Sequence, residues 1–90
     1  MMEELEHLKK QSREALFTFL NVEADLGKTL SLVAKLDLDK GSIERYETSK
    51  RNAIEALEII DRFMDRLASD TKPQIEARRS ELAQMISTLP

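Results

Sequence analysis

Ninety residues set the scale of a single small domain, and 41% hydrophobic with 34% charged residues suits a folded chain with a modest core. There is no Cys and no Trp, which excludes a disulfide scaffold, thiolate metal sites and thiol catalysis and leaves aliphatic side chains to supply the packing. The net charge is -3, and Lys9, Lys10 and Arg13 are hemmed in by Glu3, Glu4, Glu6 and Glu14, so no basic face for nucleic acid emerges.

From Glu3 to Leu36 there is no Pro, and Gly27 is the sole Gly. Heptads counted from Leu5 place Leu5, Leu8, Ser12, Ala15, Phe19, Val22, Leu26, Thr29, Val33 and Leu36 at the a and d positions, all apolar except Ser12 and Thr29. No period-two alternation survives the same stretch, so a long helix over 3–36 is expected. Leu16, Leu20, Leu30 and Leu32 lie beside this seam and widen it, as in a bundle interior. A turn over 37–42 follows, signalled by Asp37, Asp39, Gly41 and Ser42, with Ser42 or Asp39 able to cap the next helix. Such a short connection lays the second helix antiparallel to the first.

The second helix is expected over 43–68, with Ile43, Tyr46, Ala53, Leu57, Ile60, Met64 and Leu67 on its seam and Lys50 as the polar exception. A second turn covers 69–72, where Thr71 and Gln74 have capping-box spacing and Pro73 falls in the first turn of a third helix over 73–88. Residues 1–90 therefore read as one all-α domain, an antiparallel hairpin of two long helices plus a shorter third, a three-helix bundle running up-down-up.

Function is harder to read than fold. At 1.5 Å per residue the helices are roughly 50, 40 and 25 Å long. The third would then cover about half of the hairpin and leave Leu26, Leu30, Leu32, Val33, Leu36, Ile43 and Tyr46 uncovered near the first turn. Fully burying one large apolar side chain contributes ~1.5–3 kcal/mol, so that patch calls for cover. The expectation is a non-enzymatic interaction or scaffold protein, a homodimer through this patch or the holder of another protein partner. The competing reading is a metal-binding, ferritin-like protein using Glu4 and His7, the one Glu-x-x-His pair. It lacks an inward Glu on the second helix, where Met64 and Leu67 fill that end.

Other features weigh less. Arg78-Arg79 reads as solvated ion pairs rather than a phosphate grip, because Asp61, Asp65, Glu76 and Glu81 interleave the bases. Ser12, Thr29 and Lys50 read as structural breaks in the seams, Lys50 keeping its ammonium in water or meeting Glu23 or Asp25. Gly27 and Gly41 stand alone, so no phosphate loop exists, and no nucleophile elbow or cofactor motif is present. The turn lacks the Trp of secreted Trp-x-Gly hairpins, and the first helix is about twice too long for a tetratricopeptide repeat. No apolar run approaches the ~18 residues a membrane span needs. The acidic start Met1-Met2-Glu3-Glu4 is no secretory signal, so a cytoplasmic protein is expected.

Overall fold

The computed structural model describes residues 2–90, with all their side chains except those of Met2, Leu5, Leu8, Lys9 and Lys10. The first two seam positions, Leu5 and Leu8, thus lie outside the described side chains. Three α-helices follow one another, α1 (Met2–Asp39), α2 (Ile43–Phe63) and α3 (Lys72–Ser87), with no strand among the described residues. α2 runs back along α1, and α3 runs along both in the direction of α1. The molecule is 59 Å long, close to the ~57 Å that 38 helical residues span.

Each helix end has a local cause. α1 runs three residues past the expected end because nothing stops it before Gly41, whose φ of 78° is the left-handed conformation that ends helices. The Ser42 N–H then donates to the Asp37 carbonyl at 2.9 Å and the Gly41 N–H to the Leu38 carbonyl at 3.0 Å, a Schellman motif. Ser42 stands at the N-cap of α2, yet its hydroxyl makes no capping bond. α2 stops at Phe63, five residues early, and passes into one 3-10 turn, Met64–Arg66. Leu67 then turns extended, with φ -72° and ψ 152°, and buries its side chain in the core. No Gly or Pro marks this exit; burial of Leu67 takes the chain out of the helix. Thr71 precedes α3, but its hydroxyl donates to the Ala68 carbonyl at 3.1 Å instead of capping, and Pro73 sits harmlessly in the first turn.

The hairpin closes along small residues. On α1 the buried edge is Leu20, Ala24, Gly27, Ser31 and Ala34; on α2 it is Ser49, Ala53, Ala56 and Ile60. The Ser31 hydroxyl is satisfied by the Gly27 carbonyl at 2.9 Å. Short side chains let the two backbones approach closely. A Cβ at Gly27 would stand 3.3 Å from the Ala56 Cβ and 2.6 Å from Leu82 Cδ2, because α3 plugs Leu82 into the same junction. Larger residues fill the far half, where Leu20, Ile60, Leu67, Ile75 and Leu82 form the core.

α3 reaches further along the hairpin than its length suggests. The chain leading into it packs beside Phe17, Leu82 sits at Gly27, and the Pro90 carbonyl accepts hydrogen bonds from the Tyr46 hydroxyl and from Lys50 Nζ. The expectation that only half of the hairpin would be covered is corrected for this reason. The turn after α2 lies beside Ser12 to Phe17, so about ten residues of α1 run on past it and the paired part is short.

Candidate functional site

α1 is apolar on two opposite sides. Successive helical residues are turned by about 100°, so an edge through Leu20, Ala24, Gly27, Ser31 and Ala34 leaves the line Phe19, Val22, Leu26, Thr29, Val33 and Leu36 on the far side. That line stays in water: Val22 and Leu36 are 56% exposed, Leu26 47%, Phe19 42% and Val33 37%. From Phe19 to Leu36 the heptad seam that reads from the sequence as the bundle interior is thus the outer face, and the interior is the smaller-residue line on the other side of the helix. The Phe19 ring leans edge-on against Phe63 at 6.5 Å, its only aromatic contact among the described residues.

Of the seven residues expected to lie uncovered, five are exposed: Leu26, Leu32, Val33, Leu36 and Ile43. Leu30 is half-buried. Tyr46 is 7% exposed, its hydroxyl held by the Pro90 carbonyl, so it offers no free surface. Phe19 and Val22 belong to the stripe and fell outside the set expected from helix lengths. The heptad spacing that joins them to Leu26 was the signal for them.

Acids border the stripe. Asp25 is exposed, and Glu23 and Asp37 are half-buried beside it. Asp25 is held by Arg78, which also donates to the Asn21 amide oxygen at 2.6 Å. The rest of α3 is tied down in the same manner. Arg79 grips Asp61 through two hydrogen bonds of 2.7 and 3.1 Å, which raises the guanidinium pKa above its usual value. Lys28 pairs with Glu81, and its hydrogen bond and charge hold that carboxyl below the ordinary carboxylate range. The Arg78-Arg79 doublet is therefore occupied by carboxylates of α1 and α2. Lys50 meets neither Glu23 nor Asp25 but the Pro90 carbonyl, at 2.9 Å.

The remaining candidates do not assemble. Glu3, Glu4, Glu6 and His7 are exposed on the projecting turns of α1, and no group of three or more His, Asp or Glu side chains that could hold a metal occurs among the described residues. The cleft lined by Val33, Asp37, Glu44, Arg45, Thr48 and Ser49 is open and of mixed charge. Among the described residues no buried side-chain N or O lacks a hydrogen-bond partner, and no helix is long and apolar enough to cross a membrane. No family model matches the chain, and no curated protein or solved structure matches it either.

Proposed function

We propose that this chain is a non-enzymatic interaction or scaffold protein that associates with itself by burying the outer stripe of α1, down to the α1–α2 turn. The observation that carries the reading is the placement of Phe19, Val22, Leu26, Val33 and Leu36 opposite the packed edge of the same helix. A helix apolar on both sides is built to lie inside an assembly. With Leu32 and Ile43 these side chains leave on the order of 600 Å² of apolar surface, the top of the range for a monomer. That is most of the ~800 Å² per partner that a standard interface buries. Each half-exposed side chain gains roughly 1 kcal/mol on full burial, and a two-fold contact counts each of them twice.

Light scattering of the purified chain tests this. A dimer mass at tens of micromolar is expected, with Leu26→Glu/Val33→Glu reducing it to a helical monomer and Arg51→Glu, on the exposed face of α2, leaving it intact. A monomer mass for the unmodified chain at several hundred micromolar overturns the reading.

A further inference from the structure

We infer that the second copy lies antiparallel on the stripe, with the two-fold axis passing between positions 27 and 28 of α1. This rests on the self-association proposed above and adds its geometry: which surface the stripe meets, in which direction and in which register. Three observations lead there.

The stripe is narrow and strictly spaced. Phe19, Val22, Leu26, Thr29, Val33 and Leu36 alternate by three and four residues over about 27 Å, the pattern that keeps one helix in contact with one other helix. A broad, irregular patch would suit a globular partner; a seam of this kind suits a second seam.

The side-chain sizes match in one direction. In an antiparallel pair a positions face d positions. Phe19 then meets Leu36 of the second copy, Val22 meets Val33, and Leu26 meets Thr29. Phe19 and Leu26 each meet a smaller residue and the two Val meet each other, so no layer holds two residues of the largest or of the smallest kind, and every layer repeats by symmetry on the other side of the axis. A parallel pair stacks each residue on its own copy. It would crowd two Phe rings into one layer and leave two Thr facing one another in the middle, one layer overfilled and one underfilled and polar.

Charge favours the same direction. Glu3, Glu4 and Glu6 are exposed on the turns of α1 that project past the bundle. A parallel pair sets both copies of this cluster side by side, together with two helix N-termini; an antiparallel pair sends them to opposite ends and opposes the helix dipoles. In the proposed register the bordering acids Glu23, Asp25 and Asp37 are level with Leu32, Leu30 and Thr18 of the second copy, so no acid stands across from an acid.

The chain has no cysteine, so single sites can be labelled in the full-length protein. A spin label at Glu14→Cys, an exposed position off the stripe, is 13 to 14 residues from the axis. The expected distance between labels in the dimer is about 40 Å, against roughly 20 Å in a parallel pair. Disulfide capture supplies a second measurement. A mixture of Val22→Cys and Val33→Cys chains should cross-link several-fold more than either variant alone. Labels near 20 Å, or each variant cross-linking best with itself, overturn the antiparallel register while leaving the dimer standing. A monomer, with no dipolar signal between labels, overturns both.

Discussion

Gly41 lies at φ 78° with nothing within 4 Å of the site its Cβ would take, whereas Gly27 is an ordinary helical residue whose absent Cβ makes room for Leu82. Their substitutions therefore separate two mechanisms. Gly41→Ala meets only backbone strain and should lose ~1–2 kcal/mol in urea unfolding, with Gly41→Asn recovering part of it. Gly27→Ala gains up to ~1 kcal/mol of helix propensity but must displace a fully buried Leu82 side chain, and overpacking costs ~1–3 kcal/mol, so a net loss is expected. In a Leu82→Ala background, itself ~2–5 kcal/mol less stable, Gly27→Ala should cost less, because only the 3.3 Å approach to the Ala56 Cβ remains. A Gly27→Ala loss of equal size in both backgrounds would show that Leu82 is not what the glycine accommodates.

At the level of elements, α3 is fastened by Leu82 and Ile75 in the core and by Arg78, Arg79 and Glu81 at its edges. The Glu81 carboxyl is held below its unfolded value by Lys28, so its contribution is present above that value, ordinarily near pH 4.3, and disappears as pH falls through the folded value. Urea unfolding at pH 6 should show Glu81→Gln slightly less stable than the unmodified chain, with the gap narrowing as pH falls below the ordinary carboxylate range. A gap that does not narrow on acidification would mean the pair is not its source. The exit from α2 makes a sharper test. Leu67 carries the chain out of the helix without any breaker residue, so Leu67→Ala should cost ~2–4 kcal/mol. Circular dichroism should show helix content slightly raised as α2 runs on.

For the whole molecule, the turn before α2 and the start of α3 were legible because Gly41 and Pro73 announce them, and three helices in an up-down-up order followed; the exit of α2 at Phe63 carries no such marker. The facing of α1 was not. Hydrophobicity ranks Phe19, Val22, Leu26, Val33 and Leu36 above Ala24, Gly27, Ser31 and Ala34, yet close approach of two helices rewards the small residues, and both lines keep the same alternating spacing of three and four. Tyr46 was placed in the uncovered set because its partner, the Pro90 carbonyl, comes from the far end of the chain, beyond any local pattern. The proposed association also couples stability to quantity. The melting temperature should rise across a hundredfold increase in protein concentration and stay flat for Leu26→Glu/Val33→Glu. A flat profile for the unmodified chain would oppose a folded dimer linked to stability.

The tight inner edge of the hairpin also governs which changes the chain can absorb over generations. Where Ala24, Ala34, Ala53 and Ala56 meet, no volume is spare, so drift there is confined to Ser and Gly whatever the polarity. On the opposite side of the helix, Val22 or Leu36 can change shape freely so long as it stays oily. A saturation scan of α1 would therefore sort into two interleaved columns, one filtered by bulk and the other by charge.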